Sequence, residues 1–132
     1  MKTRTSISLL LCGLFLGCTP TYKDYARDAD RVFQGYLTGD VHMAKAALLA
    51  EEKVMAEHEK RGNRGVDFAM SRRVLYMQLC SMSAYMGETN DANAYLRKFV
   101  EVSGKTNVTL QDLIAIHEKQ DQLLKPKWRE LK

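Results

Sequence analysis

Between Pro20 and Pro126 this 132-residue chain contains no proline, and throughout that stretch apolar residues return every three or four positions. That spacing gathers them on one face of a helix, and alternating strand patterns are nearly absent. Proline ends or kinks a helix wherever it falls inside one, so its absence leaves glycine-rich turns as the main punctuation. The expected fold is all-α. About five helices should form two antiparallel hairpins followed by a C-terminal helix, in a short helical bundle.

The first helix is predicted over residues 23–37, with Tyr22, Tyr25, Ala29, Val32, Phe33 and Tyr36 on one face. Gly39 is expected to take the left-handed conformation that closes a helix, and Asp40 to cap the next one. The second helix is predicted over residues 41–60. Its face, with Val41, Ala44, Ala47, Leu48 and Met55, also carries the polar Glu51 and His58. Lys60-Arg61-Gly62-Asn63-Arg64-Gly65 then reads as a mobile, exposed loop. The third helix, over about 67–86, shows an apolar stripe of Phe68, Leu75, Leu79 and Met82. The fourth, over about 91–102, turns Ala92, Tyr95, Leu96 and Phe99 inward. Thr109 and Asp112 form a capping box that opens a fifth helix running to about residue 125. Its inward face holds Leu110, Leu113, Ile114, His117 and Leu124. Residues 126–132 read as a basic, solvated tail around Trp128.

The start of the chain has a different character. Lys2 and Arg4 precede the apolar run from Ile7 to Leu16, which is too short to span a bilayer comfortably, and Gly17-Cys18 follows. The segment Leu14-Phe15-Leu16-Gly17-Cys18 resembles the lipobox of bacterial lipoprotein signal peptides. Leu16 is bulkier than the residue usual there, and Phe15 stands where leucine is usual. The resemblance implies that residues 1–17 are removed and that Cys18 becomes the acylated N-terminus, with diacylglycerol on its thiol and often a third, amide-linked chain. Membrane lipid is then the first expected partner. Residues 18–22 become a short lipidated tether and residues 23–125 the helical domain. The implied address is the bacterial cell envelope. Thr19, in place of aspartate after the cysteine, implies the periplasmic face of the outer membrane in enteric-type bacteria.

Two turns look alike. Tyr36-Leu37-Thr38-Gly39-Asp40 is followed by Ala44 and Leu48, and Tyr85-Met86-Gly87-Glu88 by Ala92 and Leu96. In each, alanine comes five residues after glycine and leucine four later, so a small side chain lets the second helix approach the first. With Tyr76, Leu79 and Cys80 upstream of the second turn, the pattern resembles tetratricopeptide repeats. Ser83 and Gly35 depart from it where an aromatic is usual. The resemblance implies a concave groove lined by Phe33, Tyr36, Met77, Ser81 and Tyr85, mainly apolar and aromatic and suited to a peptide. The competing outcome is that the fifth helix, through Leu110, Leu113, Ile114 and His117, fills that groove.

No residue pattern names a reaction. His58 lacks a second histidine one turn away, and no phosphate-cradling glycine loop or nucleophile elbow occurs. His117 and Asp121 lie one turn apart, but on the apolar face a hydrogen-bonded structural histidine is the better reading. Cys80 reads as a small buried core residue, and the methionines Met70, Met77, Met82 and Met86 chiefly as core filling. The formal charge of +4 falls by two to +2 once Lys2 and Arg4 are removed. No basic tract of the kind nucleic-acid binding needs remains. The expectation is a non-enzymatic, cofactor-free interaction or assembly module of the envelope, with an unidentified envelope protein or peptide as partner. The alternatives are a pilotin-like chaperone of a secretion or pilus subunit, or a small envelope enzyme or inhibitor using Glu57, His58 or His117.

Overall fold

The computed structural model describes residues 19–131; the signal segment and the lipid-bearing Cys18 inferred from sequence lie outside the described residues. Five α-helices and one short terminal helix form the structure: α1 (Tyr22–Thr38), α2 (Val41–Lys60), α3 (Phe68–Tyr85), α4 (Thr89–Ser103), α5 (Leu110–Leu124) and α6 (Lys127–Glu130). No strand occurs among the described residues.

Local chemistry sets most boundaries. Asp40 Oδ1 accepts from the Met43 backbone N–H at 2.9 Å, which starts α2. Thr109 and Asp112 close a reciprocal capping box at α5. A second box, Thr21 with Asp24, opens α1. Gly39 differs from expectation: its φ of −88° and ψ of 176° are extended, not left-handed. Glycine is needed there for space. A β-carbon on Gly39 would lie 2.6 Å from the Met43 β-carbon and 2.7 Å from the Gly35 carbonyl oxygen. Gly35 follows the same logic, since its added β-carbon would sit 3.2 Å from that of Ala47. The first hairpin thus closes on small residues, with Ala44 buried beside them.

α1 packs on α2 and α3 on α4, and α2 joins the two hairpins by lying against α3. Lys45 of α2 also bridges to Asp91 at 3.2 Å and to Glu88, both at the start of α4. The centre of α3 is enclosed on every side. Residues 75–83 are all buried, a wider burial than the single stripe read from sequence. No charged residue occurs between Arg73 and Glu88, and a helix apolar all round belongs inside. Ala92 of α4 is fully buried against it, where the Cys80 thiol donates to the Ala92 carbonyl at 3.2 Å. Met55, Met77 and Met82 fill the core, whereas Met70 is exposed.

α5 crosses α3 from the α4 side to the α1 side. Leu113 sits on Met77 and Cys80, Gln78 donates to Gln120 at 2.8 Å, and His117 and Asp121 reach Tyr36 of α1. α6 then folds back onto α1 and α2. This corrects the reading of residues 126–132 as a solvated tail: Pro126 and Trp128 are buried, and Trp128 belongs to the main core cluster. Burial of so large a ring outweighs the pull of its basic neighbours toward water.

The loop after α2 is exposed as expected, except at Asn63, which anchors it. Asn63 is 4% exposed. Its Nδ2 donates to the Thr21 carbonyl at 2.9 Å and to His58 Nδ1 at 3.1 Å, while its Oδ1 accepts from the Gly65 N–H at 3.0 Å. Pro20 is buried as well, so the packing of the described residues reaches back to Pro20.

Candidate functional site

Four elements bring a polar cluster together inside the apolar core. Tyr36 from α1, Ser81 from α3, His117 and Asp121 from α5 and Arg129 from α6 meet there. Ser81, His117 and Asp121 are 4%, 0% and 3% exposed. Hydrogen positions follow from the partners. Arg129 Nη2 lies 3.2 Å from His117 Nδ1, which must therefore accept. Ser81 Oγ, 2.8 Å away, donates to the same nitrogen. Nε2 then carries the hydrogen and donates to the Tyr36 oxygen at 2.5 Å, with Asp121 Oδ2 3.2 Å distant. The Tyr36 hydroxyl donates to Asp121 Oδ1 at 2.5 Å, and Arg129 Nε donates to Oδ2 at 2.5 Å. Trp128 covers the group, stacked over His117 at 6.1 Å and edge-on to Tyr36 at 6.0 Å.

Electrostatics agree with that wiring. Burial pushes the His117 pKa down to about 4; Asp121 opposes the shift and Arg129 adds to it. Burial, helped by Asp121, drives the Tyr36 phenol well above its usual range. The ring is a neutral imidazole held by five partners. Ser81, His117 and Asp121 have the residue types of a serine nucleophile relay, but the surroundings work against that chemistry. Arg129 already neutralises Asp121 and opposes the imidazolium that a general base must form. Ser81 lies in the middle of α3, where backbone N–H groups are spent on the helix and offer no oxyanion donors. The cluster is a clasp that ties α5 and α6 to α1 and α3. Among the described residues, no three His, Cys, Asp or Glu side chains gather to hold a metal ion.

The groove read from sequence is therefore largely closed. Tyr36 and Ser81 lie in the clasp, and Met77 is buried under Leu113. Tyr36 and Met77 are closed to a peptide, because α5 and α6 occupy the space they were expected to line, and Ser81, 4% exposed, reaches only the floor of the remaining cleft. Phe33 is partly buried, stacked on Tyr36 at 4.9 Å. Tyr85 alone of the five stays open, at 50% exposed. It is edge-on to Trp128 at 5.1 Å and lines a cleft of about 330 Å³ with Ser81, Leu110, Ile114, Glu118 and Arg129. Glu57, His58 and His117 are not brought together. His58 is buried near the other end, between Asp28 at 2.8 Å and Asn63, and Glu57 is exposed.

Sequence reasoning placed Arg129 in the tail, and it set Glu51 on the inward face of the second helix without giving it a role. The Glu51 carboxyl sits among α1, α2, α3 and α5, beside Phe33, Gln78 and Leu124, and its Oε2 is buried without a hydrogen-bond partner. Burial, with a smaller push from Asp30, raises its pKa to about 7. A carboxylate on an otherwise apolar helix face was the available signal.

No helix among the described residues is long and apolar enough to cross a membrane. No family model, no curated protein and no solved structure matches this chain.

Proposed function

We propose that this chain is a lipid-anchored, non-enzymatic interaction module of the bacterial envelope, held by acylated Cys18, and that it docks a segment of an envelope protein in the cleft beside Tyr85. The lipobox-like start supports the address. The hairpin pairing, with Ala44 and Ala92 buried at the contacts, is in keeping with a tetratricopeptide-like helical scaffold. The exposure of Tyr85 carries the docking reading. A half-buried tyrosine braced on a buried tryptophan keeps an apolar ring and a polar tip available at little entropic cost, and such residues dominate binding energy at interfaces. Leu110 and Ile114 supply an apolar wall, and Glu118, exposed and in no ion pair among the described residues, offers a negative charge to fix the orientation of a bound segment. A pilotin-like role would use the same cleft for a secretion or pilus subunit.

The test is affinity capture from crosslinked envelopes with the full chain. Tyr85→Ala should reduce partner recovery at least tenfold while shifting the urea midpoint little, because the side chain is half solvated. Undiminished recovery would remove the cleft as the docking site.

A further inference from the structure

The described chain starts at a point that is structurally fixed. Thr19 is exposed, Pro20 is buried and Thr21 caps α1, with its carbonyl held by Asn63. Tyr22 packs on the loop, since a β-carbon on Gly65 would meet its backbone nitrogen at 3.1 Å. The expected tether of residues 18–22 is thus reduced to one free residue. Cys18 precedes Thr19 by a single peptide, about 3.8 Å between α-carbons. A lipid on Cys18 would therefore tether the chain beside the start of α1, the end of α2 and the loop between α2 and α3.

That end is basic. Lys23, Lys60, Arg61 and Arg64 are exposed, and none of them joins an ion pair among the described residues. Most neighbouring acids are engaged elsewhere: Asp24 in the α1 capping box, Glu59 with Arg72 at 2.8 Å, Asp28 with His58 and Asp67 at the start of α3. Glu57 is the exception, exposed and lining a neighbouring cleft with Arg61. An open cleft of about 610 Å³ runs between Thr19–Tyr22 and the loop, lined by Arg61 and Arg64 with no carboxylate. Tyr22, 59% exposed, stands at its edge. Unpaired cations beside an exposed aromatic are the composition of a surface that rests in phospholipid headgroups.

We propose that this end is the membrane-facing surface and that it binds anionic phospholipid headgroups through Arg61 and Arg64, with Lys23 and Lys60 adding to the field and Tyr22 entering the interface. The placement next to the bilayer rests on the Cys18 anchor, but the chemistry of the surface does not. A basic residue near an anionic bilayer strengthens binding about fivefold, and the effect fades beyond about 10 Å. The basic group around Trp128 lies at the other end of α1, roughly 20 Å away at 1.5 Å per residue from Tyr22 to Tyr36.

The experiment uses the full chain with Cys18→Ser, which carries no thioether lipid, and vesicles of phosphatidylcholine with or without phosphatidylglycerol. Arg61→Glu with Arg64→Glu should weaken flotation with the anionic vesicles at least tenfold, and 0.5 M salt should do the same to the parent. Lys125→Glu with Lys127→Glu, an equal change of net charge at the far end, should weaken it less than twofold. The milder pair Arg61→Gln and Arg64→Gln serves if the reversal impairs folding. Equal losses from the two ends, or no loss from the first, would overturn the proposal. Intact-mass measurement of the membrane-extracted parent reads the anchor separately. Flotation as expected with no lipid mass on Cys18 would keep the basic surface and remove the anchor.

Discussion

Tyr36 shows how much one hydroxyl can organise. It accepts from His117, donates to Asp121 and lies fully inside the core. Tyr36→Phe keeps the ring and deletes only the oxygen, leaving the His117 Nε2–H and Asp121 Oδ1 each a partner short. Such a loss costs about 1–3 kcal/mol, to be read as a lower urea midpoint with an unchanged slope. An unaltered midpoint would mean that the clasp contributes nothing to stability. Part of this site was legible in the sequence. His117, on an apolar face with Asp121 one turn later, already reads as a hydrogen-bonded structural histidine. The convergence was not legible, because Tyr36 and Ser81 reach His117 from 81 and 36 residues away and no local pattern encodes that meeting. Tyr36 and Ser81 belong to a groove only through the tetratricopeptide resemblance, which places both on one helix face without saying what covers that face.

At the scale of elements, turn chemistry made the boundaries readable. α2 spans Val41–Lys60 in sequence pattern and structure alike, because Asp40 starts it and a glycine-rich loop ends it. α6 escaped notice because a lone tryptophan among cations looks like a surface feature until there is a cavity to receive it. Ala92 and Ala94 provide a test of the α3–α4 contact. Ala92 is fully buried against Cys80, whereas Ala94 is only partly covered. Ala92→Leu must push the helices apart and should cost about 1–3 kcal/mol. Ala94→Leu should stay within about 0.5 kcal/mol of the parent, as surface changes usually do. Equal urea midpoints for the two variants would count against the pairing.

Across the whole molecule, two buried groups bend stability in opposite directions with pH. Glu51 binds its proton more tightly when folded, with a pKa raised from 4.5 to about 7, so its contribution falls as pH rises through that window. His117 binds its proton less tightly when folded, with a pKa lowered from 6.5 to about 4, so its contribution rises with pH over nearly the same range. Each amounts to roughly 3–3.5 kcal/mol, and between pH 4.5 and 6.5 they largely offset one another. Glu51→Gln removes one side of the balance. The variant should match the parent near pH 4, gain stability steadily to pH 6.5 and exceed the parent by roughly 3–3.5 kcal/mol at pH 8, measured by urea denaturation. A variant less stable than the parent at pH 8 would show that the Glu51 carboxylate is supported by partners in solution.

The clasp also has a consequence in time. Tyr36 and its partner Asp121 are separated by 85 residues of chain, and Trp128, which roofs both, is made later still. At about 5–20 residues per second, a ribosome that has finished α1 needs several seconds more to deliver the groups that close over it. Until then the nascent polypeptide carries a hairpin whose inner face cannot be sealed. Its completion is postponed to the last stage of synthesis.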